Sequence, residues 1–276
     1  MPYNASWYKT YFADFNGREN ELRKVTRYSL YSVMFYRTNL LTHSKHVGWM
    51  LNEIVPFAEK EFGSSFDGKK AVLLGLVHDD AEIIFGDVQA GNKSKMTEEE
   101  LQKIEQAELD AIEKISDRYP KYLGGYVYKD LLYSAMNTNT LEEKIVKYVD
   151  KFDAFGEALH EIYGGNRIFA TNVVNEYGEI PTPTDFYLDW FSSFHKKHPD
   201  MVQKLKRYIP IFGEFYNLDI HTIAAQAIPH TRESLYLPTG YFPYDWWKSC
   251  ILRSADDEEL KNLYRQKETA PTMERI

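Results

Sequence analysis

An imidazole and three carboxylates crowd into the stretch Leu74-Gly75-Leu76-Val77-His78-Asp79-Asp80-Ala81-Glu82. The adjacent His78 and Asp79 offer a nitrogen and a hard oxygen to one divalent metal. Glu82 lies three residues beyond Asp79 and four beyond His78, so all three can project toward one side of a helix. There Glu82 is near enough to hold or deprotonate a metal-bound water. The run before them, Ala71 to Val77, is almost wholly apolar and belongs inside the protein. Placing His78 and Asp79 at its inner end is costly unless a cation or hydrogen bonds compensate. A His-Asp pair alone is common, so the reading depends on what else the chain supplies.

Two other helical patterns supply partners. His43 stands four residues before Val47, on the buried stripe of a helix continuing through Leu51, Ile54, Val55 and Ala58, with Thr42 or Ser44 as its cap. His46 lies at the edge of that stripe. Such a histidine is usually a hydrogen-bonded core residue, but beside a second buried His-Asp pair it becomes a candidate ligand. A helix from about Thr140 to Tyr163 has the apolar stripe Leu141, Ile145, Val149, Phe152, Phe155, Leu159 and Ile162. Asp150 and Asp153 are its candidate ligands. Asp150 falls about 180° from Leu141, yet its i±4 neighbours Val146 and Ala154 are apolar too. Periodicity leaves Asp150 and Asp153 level.

The remaining elements also read as helical, and strand alternation is hard to find. Arg18 to Arg37 is expected to form an aromatic-rich helix, Gly63 to Gly68 a loop, and Gly91-Asn92 a turn beyond the end of the central helix near Gly86-Asp87. Thr97 and Glu100 form a capping-box signature for a helix to about Tyr119, ended by Pro120, with Leu101, Ile104, Leu109, Ile112 and Ile115 facing the core. Gly164-Gly165 closes the 140–163 helix. From Pro181 onward Pro, Trp and His become more frequent and helical segments such as Phe186 to His195 look interrupted. The expected architecture is all-α, a helical bundle over residues 1–180 with a mainly helical extension over 181–276.

Hydrophobic residues make up 43% and charged residues 27% of the 276 positions, ordinary values for a soluble globular chain. Aromatic content is high at 15%, so a packed core is easily supplied. The single cysteine, Cys250, leaves no internal disulfide framework; it reads as a packing residue near Trp246 and Trp247. The N-terminal sequence lacks a signal-peptide pattern, no apolar run approaches spanning length, and cytoplasmic location with no membrane partner is expected. A net charge of −8 argues against binding polymeric nucleic acid, but not against a small phosphorylated ligand. His195, His198, His221 and His230 are too loosely spaced to suggest a second metal. Trp190, Tyr241, Trp246 and Trp247 are best read as packing residues.

The order of a histidine, a His-Asp pair and a distant Asp resembles the HD-domain phosphohydrolase superfamily, and within it the bacterial 5'-deoxynucleotidases of the YfbR type. The matching pieces are Arg27-Tyr28-Ser29-Leu30, Thr42-His43-Ser44, Leu76 to Glu82 running into Gly86-Asp87, and Lys144 to Asp150 with Gly165-Asn166. They occur in order across about residues 18–170. The chain departs from the family pattern at Thr42, where Glu is usual, and in the loop Val88-Gln89-Ala90-Gly91-Asn92 before Lys93. Residues from about 180 to Ile276 have no recognised counterpart.

The resemblance implies an HD-domain bundle and a metal-dependent hydrolase that removes phosphate from deoxynucleoside 5'-monophosphates. It selects Asp150 over Asp153, so that His43, His78, Asp79 and Asp150 hold one divalent ion (Mn, Co, Mg, Fe or Zn). A metal-bound water would attack phosphorus in line, oriented or deprotonated by Glu82. Arg27 would clamp the phosphate bidentately, as its planar fork allows, where an ordinary helix arginine like Arg23 or Arg37 would be solvated. Tyr28, Asp87 and Lys93 would complete the substrate site. A homo-oligomer, dimer or higher, is expected. Two other activities fit the same residues: hydrolysis of deoxynucleoside triphosphates, and nucleotide-binding regulation at a vestigial site, against which the presence of all four ligands and Glu82 speaks.

Overall fold

The computed structural model describes residues 8–213 except 30, 32, 36, 89–92, 94, 164, 165, 176 and 177. The expected turn at Gly91-Asn92, the Gly164-Gly165 stop, Leu30, Cys250, His221, His230, Tyr241, Trp246 and Trp247 lie outside the described residues. The architecture is an all-α bundle. In chain order its helices are α1 (Arg18–Lys24), α2 (Leu40–Phe62), α3 (Gly68–Val77), α4 (Glu82–Phe85), α5 (Glu98–Ser116), α6 (Tyr128–Ala135), α7 (Leu141–Tyr163), α8 (Pro183–Lys197) and α9 (Pro199–Lys206). Two short antiparallel hairpins interrupt it: β1 (Tyr122–Leu123) pairs with β2 (Tyr126–Val127), and β3 (Val173–Asn175) with β4 (Gly178–Ile180).

Helices α2, α3 and α7 form the centre, and each is long or apolar enough to be buried on more than one side. In α3 every residue from Ala71 to Val77 is buried, as its unbroken apolar run requires. Helices α2 and α3 meet at glycines. A Cβ on Gly75 would stand 2.2 Å from Leu51 Cδ1, and one on Gly48 2.5 Å from Leu76 Cδ2. A side chain at either position would have to displace the leucine packed against it.

Several expectations needed correction. The 18–37 helix stops at Lys24; Val25 is extended and Thr26 bridges to Asn39. Asn39, neither Thr42 nor Ser44, caps α2, its Oδ1 accepting from the Thr42 N–H at 3.1 Å. The central helix breaks at His78 and resumes only at Glu82. The Thr97–Glu100 capping box is present, but α5 ends at Ser116, before Pro120. Leu101 is exposed, because only the last turns of α5, through Ala111, Ile112 and Ile115, reach the core. Residues 186–195 lie in one continuous helix, capped by the Thr182 side chain.

The core continues across residue 180. Phe191 of α8 packs edge-on to Tyr148 and Phe152 of α7, and Phe212 stacks on Tyr148 with ring centres 4.3 Å apart. His195 lies 3.0 Å from the Tyr148 hydroxyl, which donates to the Ile211 carbonyl. Trp190 stacks on Phe194 against the same cluster. Among the described residues no helix is long and apolar enough to cross a membrane.

Candidate active site

The break after α3 is built by a residue far upstream. Arg18 donates from Nε and Nη2 to both carboxylate oxygens of Asp80, at 2.6 and 2.5 Å, and from Nη2 to the Leu76 carbonyl at 2.6 Å. The Tyr128 hydroxyl donates to Asp80 Oδ2 at 2.7 Å. A cation thus satisfies a carbonyl at the C-terminus of α3 and pins Asp80 inward. That leaves the neighbouring His78 and Asp79 turned toward the other side of the turn.

There they meet His43 and Asp150. His43 Nε2 is 3.2 Å from His78 Nε2, 3.2 Å from Asp150 Oδ1 and 3.5 Å from Asp79 Oδ2. His78 Nε2 is 3.1 Å from Asp79 Oδ1 and 3.7 Å from Asp150 Oδ1. Protein bonds of about 2.1 Å to a divalent ion place neighbouring ligand atoms roughly 3.0–3.4 Å apart. The three shortest of these separations fall in that range and the other two exceed it, and His43, His78 and Asp150 form a group that could hold one shared ion.

The groups behind the rings fix their orientation. His78 Nδ1 lies 2.8 Å from the Gly75 carbonyl, an obligate acceptor, so Nδ1 carries the proton. His43 Nδ1 lies 2.7 Å from Asp153 Oδ2. With each Nδ1 hydrogen committed behind its ring, both Nε2 atoms aim at the same point. Without a cation this is relieved by protonation: burial opposes charging His43, but Asp150 and Asp153 outweigh it and its pKa is raised to about 9. Burial pushes the Asp150 carboxyl up, yet Lys151 and the two imidazoles hold it well below the usual range.

Asp150 and Asp153, level in the sequence, take different places on α7. Asp150 faces the shared centre, while Asp153 stands behind His43 and 3.1 Å from His46 Nδ1. One turn further, Glu157 Oε2 accepts from Arg27 Nε at 3.2 Å. A further turn on, Glu161 Oε2 accepts from the Phe35 N–H and from Asn166 Nδ2. All four acids are buried. They form a polar stripe at helical spacing that ties α7 to the N-terminus of α2 and to residues 27–37.

Arg27 is buried, with Nη1 3.8 Å from Asp79 Oδ2. The comparison with Arg37 changes, since Arg37 donates to the carbonyls of Arg27, Tyr28 and Tyr31. Arg23 alone is solvated, 3.5 Å from Glu19. Tyr28 adopts φ 53°, an unusual conformation for a non-glycine, and its hydroxyl donates to the Ala154 carbonyl at 2.6 Å. Its hydroxyl proton is thereby committed.

These groups line a cavity of about 730 Å³. Arg27, Tyr28, His78, Asp79, Glu82, Asp87, Lys93 and Asp150 all contribute to its wall. Burial and the charges of Asp79 and Asp87 push the Glu82 carboxyl well above its ordinary pKa, and its Oε2 has no hydrogen-bond partner among the described residues. Burial also raises Asp87, against the pull of Arg27. Sequence reasoning missed Lys147 and Lys151 on α7, which face Asp150, and the wall formed by Tyr31, Ile180, Phe186 and Tyr187.

The sequence profile described as YfbR-like, 5'-deoxynucleotidase YfbR-like, matches residues 14–194. The chain belongs to this family. It is 26% identical over 161 residues to a 5'-deoxynucleotidase of Vibrio vulnificus, covering 56% of this chain and 80% of the relative. A 5'-deoxynucleotidase of Shewanella oneidensis is 30% identical over 136 residues, 48% of this chain and 67% of that protein. The 5'-deoxynucleotidase YfbR of Salmonella paratyphi B is 25% identical over 189 residues, 67% and 83% respectively. The match includes the centre formed by α2, α3 and α7 and most of α8.

Proposed function

We propose that the protein hydrolyses deoxynucleoside 5'-monophosphates to nucleoside and phosphate, with His43, His78, Asp79 and Asp150 holding one divalent ion. The observation that carries this is the facing pair of Nε2 atoms, 3.2 Å apart, whose Nδ1 hydrogens are both committed behind the rings. Such a pair with flanking carboxylates suits a cation and little else. When bound, the ion supplies a Lewis acid and lowers the pKa of water beside it.

The chain's own groups divide the remaining work. Glu82 accepts the proton of the attacking water, a role helped by a carboxyl whose affinity for protons is already high. Arg27, held at Nε by Glu157, presents its remaining N–H groups to the phosphate and neutralises charge developing on its oxygens. Lys93 adds positive potential, and Asp87 contacts the sugar or orders water. The rings of Tyr28, Tyr31, Phe186 and Tyr187 flank the nucleoside. In the same reading residues 1–180 carry the chemistry, residues 181–213 complete the cavity wall and core, and the chain works as a cytoplasmic homo-oligomer.

The test is a screen of deoxy- and ribonucleotides at each phosphate level with a panel of divalent metals, reading phosphate, diphosphate and triphosphate release. Phosphate from deoxynucleoside monophosphates is expected. Turnover that survives Glu82→Ala would overturn the assignment of the base.

A further inference from the structure

Asp150 offers one oxygen to the proposed metal centre, and its other oxygen is already engaged. Oδ1 faces His43 and His78, whereas Oδ2 accepts from Lys151 Nζ at 2.8 Å, with Lys147 Nζ 3.9 Å away. The two lysines are a helical turn apart on α7 and both reach the cavity wall. The Asp150 side chain is 8% exposed and that of Lys151 18%, so separating them would leave two poorly solvated charges.

We propose that Lys151 is a positioning residue that restricts Asp150 to one-oxygen ligation and thereby biases the centre against calcium. The inference rests on the metal centre proposed above. Large calcium ions accept six to eight oxygens and commonly take carboxylates through both atoms, whereas smaller ions hold compact octahedral geometry. A carboxylate with one oxygen occupied by an ammonium suits the second class. Lys147, farther from Oδ2 and more exposed, reinforces the charge without replacing the contact.

The experiment titrates metal-free wild-type, Lys151→Met and Lys151→Arg proteins with Mn²⁺ and with Ca²⁺ by calorimetry, with no nucleotide present. Loss of a positive charge strengthens binding of every divalent ion, so the informative readout is the ratio of the two affinities. In Lys151→Met the ratio is expected to move toward Ca²⁺ by about tenfold or more, the usual range for groups that orient a ligand. Lys151→Arg, which keeps charge and donor, is expected to stay near wild type. An unchanged ratio in a Lys151→Met protein with native circular dichroism would overturn the proposal and reduce Lys151 to an ordinary ion-pair partner. Wild-type protein that binds neither ion would overturn the metal centre itself, and the inference with it.

Discussion

Asp153 Oδ2 lies 2.7 Å from His43 Nδ1, on the opposite edge of the ring from Asp150. The two aspartates, three residues apart on α7, therefore grip one imidazole from both sides. One orients the ring and the other shares its free nitrogen's target.

Replacing Asp153 by Asn keeps the shape but removes the anion that fixes the tautomer. Metal affinity is expected to fall about 10–100-fold. Activity at limiting metal should drop, and excess metal should restore much of it. Titration with Mn²⁺ measures the loss directly; unchanged affinity would mean that Asp153 is only a packing residue.

Glu82→Gln should lower kcat by roughly 10²–10⁴ while leaving the metal affinity within a few-fold of wild type. The raised pKa of Glu82 sets the sign of the pH dependence. A base must be deprotonated to act, so wild-type activity rises with pH through that pKa. The kcat/KM profile of the Gln variant is expected to lose this acidic limb.

Metal-free protein should show the reverse trend in stability. His43 has a folded pKa of about 9 against an ordinary value of 6.5. Its contribution is fully present below about 6.5 and is lost as pH rises through about 9. Metal requires the neutral ring, so the gain in Tm on adding Mn²⁺ should be larger at pH 9 than at pH 6.5. Calorimetry near pH 7 in buffers of differing ionisation enthalpy should record proton release on binding.

Arg18→Met removes the partner of a fully buried carboxylate and the donor to the Leu76 carbonyl. A loss of about 3–5 kcal/mol in unfolding free energy is expected, read from the denaturant midpoint. Because Asp80 adjoins Asp79, metal affinity should fall as well, even in protein that remains folded.

Residue types singled out the apolar run ending in His78-Asp79 and, beside it, His43, whereas the choice of Asp150 came from the family resemblance alone. The helices around them were equally legible from their period. The end of α1 at Lys24 was not, since the aromatic residues beyond it match a helix while Thr26 bridges to Asn39 and Arg37 holds the carbonyls of Arg27 and Tyr28. Periodicity left Asp153 level with Asp150, and Glu157 and Glu161 were missed, because charged residues at helical spacing ordinarily mark a solvated face. Here that face meets His43, His46, Arg27 and the Phe35 backbone, partners contributed from far away in the chain.

The 107-residue separation between His43 and Asp150 has a bearing on how the protein matures. During synthesis the imidazoles emerge long before the acid that completes their set, so an early collapsed form has no closed pocket for an ion. Closing so long a loop carries an entropic cost that the docking of α7 must first overcome. At the proposed metal centre, ion capture would then reward only the finished fold, a late seal on folding and a poor nucleus for starting it.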